Sequence, residues 1–190
     1  GEEGLLWITG PNVMQGYHNL PEATAKVFTK DGGFRSGDLG RKDSDGYVYI
    51  TGRVKEQYKL ENGKYVVPAP LEELLKLAPV VNQIMIHGAN RPYNVALVVP
   101  DFEFLKEWAH NEGKSTDPEA LVKENTVKKL ITEQLSDYGK GFRGYEHPRK
   151  FRLLLEEFST DNDMLTPKMS LKRRNVMKAH GDLIEAMYQD

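Results

Sequence analysis

The chain has 190 residues, 39% hydrophobic and 28% charged, which suits one folded domain, or one domain with part of a neighbour, and excludes a disordered chain. Its net charge of −2 leaves any attraction for nucleic acid or membrane to a local patch, and no apolar run approaches the ~18 residues of a spanning helix. With no cysteine there is no disulfide or thiolate chemistry, and the five histidines fall in no metal-ligand spacing, so no metal site is expected.

The opening "GEEGLLWITGPNVMQGY" is acidic where a signal peptide is basic, and reads as a strand entered midway, as in a piece cut from something longer. Residues 4–9 suit a strand stopped by Gly10-Pro11. "LPEATAKVF" (20–28) predicts a short helix with Pro21 in its first turn, where a missing N–H does no harm. "DGGFRSGDLG" (31–40), with four glycines in ten residues, reads as a loop. "GYVYITGR" (46–53) reads as a strand. The runs 58–61 and 64–67 predict a hairpin closed at Asn62-Gly63 by a type I′ turn.

Beyond Pro68 the pattern changes. "LEELLKLA" (71–78) is helical, and "NQIMIHG" (82–88) and "NVALVVP" (94–100) are strands. "DFEFLKEWAHNEG" (101–113) predicts a short helix. Asp117 is set to cap a long helix with Pro118 at its first position, burying Val127, Leu130, Ile131, Gln134 and Leu135 at a period of three to four. "RKFRLLLEEFS" (149–159) reads as a strand. "NDMLTPKMSLKRR" opens a last helix with an apolar stripe of Val176, His180, Leu183, Ile184 and Met187. Strands interleaved with helices predict an α+β or α/β domain from about residue 54, preceded by a mostly β unit.

Four features could carry chemistry. Asp38 lies between glycines, where it is either a turn former or a carboxylate that a ribose can approach. Arg53 ends a strand and is followed by Lys55, which also reads as a charged edge resisting aggregation. The Asn62-Gly63 turn would let a ligand reach the backbone. "TPKMSLKRR" sets cations at a helix start, against the dipole, which calls for an anion or an acidic neighbour.

In sequence order, "GPNVMQGYHNLPEATAKVF", "DGGFRSGDLG", "DGYVYITGRVKEQYKLENGKYVVP" and "TPKMSLKR" resemble the C-terminal signature blocks of the adenylate-forming acyl-CoA synthetases. That superfamily includes luciferases and the adenylation domains of peptide synthetases. The resemblance runs over almost the whole chain, and "KLENGKYV" is most similar to the long-chain fatty-acid CoA ligase branch.

The resemblance implies an α+β fold: a small mobile C-terminal domain (54–190) preceded by the end of a large AMP-binding domain (1–53), with a hinge near Lys55. The implied reaction activates a fatty acid with ATP as an acyl-adenylate, releasing pyrophosphate, then transfers the acyl group to coenzyme A. Two anions must meet in the first step, so cations are required. By resemblance Asp38 accepts the ribose hydroxyls, Arg53 donates to the same ribose, and Lys59 lies near the adenylate. Asn62, Gly63 and Lys64 border the coenzyme A channel. The family's C-terminal adenylation lysine aligns with Ser170, with Lys168 and Lys172 two residues to either side. In an extended segment all three would share a face.

The family's phosphate loop and acyl pocket are not in these residues, so the isolated chain is expected to be inactive, with the large N-terminal domain as its partner. Mg2+ is expected with ATP, its ligands outside the chain. The implied location is cytoplasmic, with attachment to a membrane surface left open. A non-catalytic module of the same fold and an acyl-carrier-protein ligase stand as alternatives. Nucleic-acid binding rests only on the cations from Lys168 to Lys178 and is not expected.

Overall fold

The computed structural model describes residues 3–189; residues 1, 2 and 190, which the expected domain bounds include, lie outside the described residues. The chain divides into two units, Gly1–Gln57 and Tyr58–Asp190.

The first unit holds β1 (Glu3–Ile8), α1 (Pro21–Val27), β2 (Phe34–Lys42) and β3 (Val48–Arg53), with the strands in an antiparallel sheet of order β1-β2-β3. Of the glycine-rich segment expected as a loop (31–40), residues 34–40 belong to the nine-residue β2. Its glycines shape the strand instead of ending it. Gly37 takes a φ of 80°, and the register with β3 slips between Leu39 and Gly40. A Cβ on Gly40 would lie 2.9 Å from both Leu6 Cδ1 and the Tyr49 carbonyl oxygen. Among the described residues of this unit only Gly33, Gly40 and Gly52 are buried, and Leu5, Trp7 and Ile50 are all exposed. A small sheet with no fully buried side chain gains little from apolar burial.

The second unit begins with a short hairpin, β4 (Tyr58–Lys59) and β5 (Tyr65–Val66). It continues through α2 (Pro68–Leu75), β6 (Val81–His87), β7 (Asn94–Pro100), α3 (Phe102–Asn111), α4 (Pro118–Leu121), α5 (Asn125–Tyr138), β8 (Pro148–Leu153) and α6 (Arg173–Gln189). The sheet order is β6-β7-β8, antiparallel then parallel. Central β7 is buried along its whole length, which explains its unbroken apolar run. The period of two sends Ala96 and Val98 into one core with Leu71, Leu75, Leu105, Leu121, Val127 and Ile131. Val95, Leu97 and Val99 enter the other with Phe158, Val176, Ile184 and Met187. Each of the Val, Leu, Ile, Phe and Met side chains among them contributes about 1.5–3 kcal/mol. Helices thus cover both faces of the sheet, α6 alone on the second.

Three expected elements differ. Asp117 caps a helix, accepting from the Ala120 N–H at 3.1 Å, but that helix stops at Leu121 and a new one starts at Asn125. Leu121 and Val127 enter the same core, whereas in one continuous helix they would point roughly 120° apart. Leu130 is only partly buried and Gln134 half-buried. Strand β8 ends at Leu153, because the Gln83 side chain takes over the Phe158 backbone, donating to its carbonyl at 2.9 Å and accepting its N–H at 2.6 Å. The last helix starts at Arg173, and of its expected stripe Val176, Ile184 and Met187 are buried, His180 is half-buried and Leu183 exposed.

Candidate functional site

In the first unit Asp38 and Arg53 face each other across β2 and β3, with Arg53 Nε 3.0 Å from Asp38 Oδ1. The carboxylate is mostly covered, at 18% exposure, while the guanidinium stands out at 66%. The Asp38 backbone N–H is held by Ser36 Oγ, which in turn donates to the Leu6 carbonyl. The pair offers an acceptor beside a donor, the complement of two neighbouring hydroxyls. Lys55 lies exposed in the turn that follows, where the N–H groups of Glu56 and Gln57 bond back to the Arg53 carbonyl.

The second unit carries the hairpin. Its loop is not the expected type I′ turn: the Gly63 N–H bonds to the Leu60 carbonyl, Leu60 N–H to the Lys64 carbonyl, and only Gly63 has positive φ, at 85°. Glu61 and Asn62 are therefore the central residues, and Gly63 forms the bulge that follows. Asn62 Oδ1 accepts from the Lys64 N–H at 3.1 Å. Lys59 Nζ lies 5.8 Å from the Tyr65 ring centroid, and Lys64 Nζ lies 4.6 Å from that of Tyr145.

The root of this hairpin is a buried polar knot that sequence reading missed. The Tyr58 hydroxyl donates to Asn94 Oδ1 at 2.8 Å, and Asn94 Nδ2 donates to the carbonyls of Tyr145 and Glu146 at 3.1 and 2.7 Å. Asn94 is fully buried. Burial, then the Glu72 carboxylate, pushes the Tyr58 phenol far up, so it stays a donor. The available signal was a lone Asn heading the apolar run of β7.

Two of the cations around the start of α6, Lys172 and Arg173, have their anions. Arg173 makes a two-pronged pair with buried Glu72 and also donates to the Ile86 carbonyl. Lys172 pairs with Asp163, whose carboxyl that ammonium holds below its usual range. The expected extended segment is absent: Leu165 and Leu171 bridge around a tight turn in which the Met169 N–H bonds to the Thr166 carbonyl and Met169 has a φ of 60°. Lys168 sits at the tip of this turn and Lys172 at its base, so they do not share a face with Ser170. Lys168 has no ion pair among the described residues.

The structure thus brings Asp38 to Arg53 and Asn62 to Lys64, and separates Lys168 from Lys172. Among the described residues no group of three His, Cys, Asp or Glu could hold a metal ion, and no helix is long and apolar enough to cross a membrane.

The family of AMP-binding enzyme C-terminal domains matches residues 55–190. Over 98% of its length the chain is 35% identical to long-chain-fatty-acid–CoA ligase 1 of Cavia porcellus and to long-chain-fatty-acid–CoA ligase FadD15 of Mycobacterium tuberculosis. It spans only 27% and 31% of those proteins. The solved adenylation domain of a carboxylate reductase from Mycobacterium chelonae superposes with a TM-score of 0.83 at 31% identity, covering 99% of this chain and 28% of that one. The O-succinylbenzoate coenzyme A synthetase of Bacillus subtilis, in complex with AMP, shares the fold at a TM-score of 0.63 and 24% identity, over 91% of this chain and 30% of that one. The chain therefore belongs to the adenylate-forming, AMP-binding enzymes, and residues 55–190 are the C-terminal domain of that family.

Proposed function

We propose that the chain is the C-terminal part of an ATP-dependent long-chain fatty-acid CoA ligase. The observation that carries this is the Asp38–Arg53 pair, one covered acceptor against one exposed donor, in a chain 35% identical to such ligases. In the first half-reaction the fatty-acid carboxylate attacks the ATP α-phosphate and pyrophosphate leaves. In the second a thiol attacks the acyl carbon and AMP leaves. Asp38 accepts the ribose hydroxyls and Arg53 donates to them. Lys59 lies near the adenylate.

Lys55 is the pivot between the end of the large domain (1–53) and the small domain (54–190). Lys168 supplies the adenylation cation in place of Lys172, because Asp163 already holds Lys172. Asn62, Gly63 and Lys64 border the thiol channel, where Gly63 keeps the passage clear. Mg2+ enters with ATP on ligands outside this chain, and the enzyme works in the cytoplasm.

The likeness to carboxylate reductase adenylation domains, one of them solved as a didomain with its carrier domain, favours a second reading in which the thiol sits on a carrier protein. Incubating the full-length protein with palmitate, ATP and coenzyme A should yield AMP, pyrophosphate and palmitoyl-CoA. The isolated chain should yield none. Absence of palmitate-dependent ATP–pyrophosphate exchange by the full-length protein sinks the ligase reading. Exchange with transfer only to a carrier selects the second.

A further inference from the structure

We infer that Met169, beside Lys168 at the tip of the lysine turn, is a substrate-contacting residue that shields the acyl-adenylate from water; this rests on the ligase reading above. The lysine turn and the hairpin of β4 and β5 are closed by the same pair of backbone bonds. In the hairpin the Gly63 N–H bonds to the Leu60 carbonyl and the Leu60 N–H to the Lys64 carbonyl, at 3.0 and 2.9 Å. In the lysine turn the Met169 N–H bonds to the Thr166 carbonyl and the Thr166 N–H to the Ser170 carbonyl, both at 2.8 Å. Pro167 and Lys168 are therefore its central residues. Met169 stands at the bulge, where the hairpin has glycine, with a φ of 60° against 85°. Proline suits the first central place, but any residue with a Cβ is disfavoured at the bulge.

The other described non-glycine residues at positive φ are Asn19, Asn90 and Asp163, whose short polar side chains tolerate it. Met169 is the exception, and no packing offsets its strain. At 68% exposure it is the most exposed large apolar side chain among the described residues of the second unit. The turn is nevertheless held. The Ser170 N–H donates to Thr166 Oγ1 at 3.1 Å, the Lys172 N–H bonds to the Met164 carbonyl at 2.8 Å, and buried Leu165 bridges to Leu171. Strain that the surroundings fix in this way, at a place with no packing of its own, points to a function beyond folding.

Successive Cα atoms lie about 3.8 Å apart, so Lys168 carries Met169 with it to the adenylate. An acyl-adenylate is a mixed anhydride. If water adds to its acyl carbon, the bond from that carbon to the phosphate oxygen breaks. The fatty acid keeps the hydroxyl, AMP takes the proton, and no thioester forms. A polar tip would bring water to the anhydride, whereas an unbranched, adaptable Met side chain excludes it.

The test follows synthetic palmitoyl-adenylate, without thiol, in a saturating excess of full-length enzyme. Met169→Asn keeps a residue that tolerates the left-handed turn and removes the apolar side chain, while Met169→Leu keeps the apolar character. The lifetime of bound adenylate should fall about tenfold in the Asn variant, the scale of one lost apolar contact, and stay near wild type in the Leu variant. The Asn variant should melt no lower than wild type. An unchanged lifetime in the Asn variant, with or without a lower melting temperature, overturns the shield and leaves the ligase reading intact. An equal fall in the Leu variant also overturns it. If wild type shows no palmitate-dependent pyrophosphate exchange, the ligase reading fails and the shield with it.

Discussion

Arg173 and Glu72 are 101 positions apart in sequence and meet in a two-pronged ion pair in which Arg173 Nη1 lies 2.9 Å from Glu72 Oε1. The same carboxylate accepts the Ile86 N–H at 2.6 Å, so it fastens α2 and β6 to the start of α6 and to the base of the lysine turn. Glu72→Ala removes the counter-charge of a largely covered guanidinium, and unfolding free energy should fall by about 3–5 kcal/mol. Replacing both residues by Met should cost far less, because no charge is then left behind. Denaturant titration of wild type, Glu72→Ala and the Glu72→Met/Arg173→Met double variant measures this, and equal losses in the single and double variants would contradict it.

The two lysines of the turn should separate cleanly. Lys168→Ala should lower ATP–pyrophosphate exchange by roughly 10²- to 10³-fold, the range for loss of one transition-state contact. Lys172→Ala should leave exchange within a few-fold, since its ammonium is committed to Asp163. Reversed outcomes would move the adenylation role to Lys172.

Asp38→Ala should raise KM for ATP about tenfold, from loss of a charge-assisted acceptor for the ribose. Stability should change little, because Arg53 is 66% exposed and surface pairs contribute about 0–1 kcal/mol. Melting curves and an ATP titration on the same preparation distinguish binding from folding.

His87 gives a pH signature. Burial pushes its pKa below the usual 6.5, helped by the charges of Arg173 and Arg91 and opposed by Glu185. Below pH 6.5 the unfolded chain therefore takes up a proton that the folded one resists. The stabilising contribution of neutral His87 is full above that value and declines as pH drops towards the folded pKa, with a slope of at most about 1.4 kcal/mol per pH unit. His87→Gln should flatten the fall in unfolding free energy between about pH 7 and about pH 5. A slope identical to wild type would show that the imidazole takes up its proton equally in the folded and unfolded chain.

Much of the second unit was legible because its signals are local. The apolar run of β7, the Asp117 cap and the helix-period apolar residues of α5 need no distant partner to be read. What escaped depends on contacts remote in sequence. The glycines of β2 look like breakers until Leu6 and Tyr49 are seen pressing on Gly40. Leu121 and Val127 break a helix only because they share a core. In the candidate site, Asp38 and Arg53 were legible as residue types, while their opposition depends on a strand register containing a bulge. Asn94 and Tyr145 carried no motif, since their value lies in which segments the fold brings together.

The bare sheet of the first unit has a consequence for time as well as energy. Backbone amides exchange with solvent at a rate set by how often their hydrogen bonds open, and opening costs little where no apolar side chain must be wetted with it. In the isolated chain the amides of β2 and β3 should therefore trade hydrogen for deuterium early, while those of β7, buried along its whole length, wait for opening of the second unit as a whole. In this chain the strands that carry Asp38 and Arg53 and the strand that anchors the hairpin should keep two different clocks.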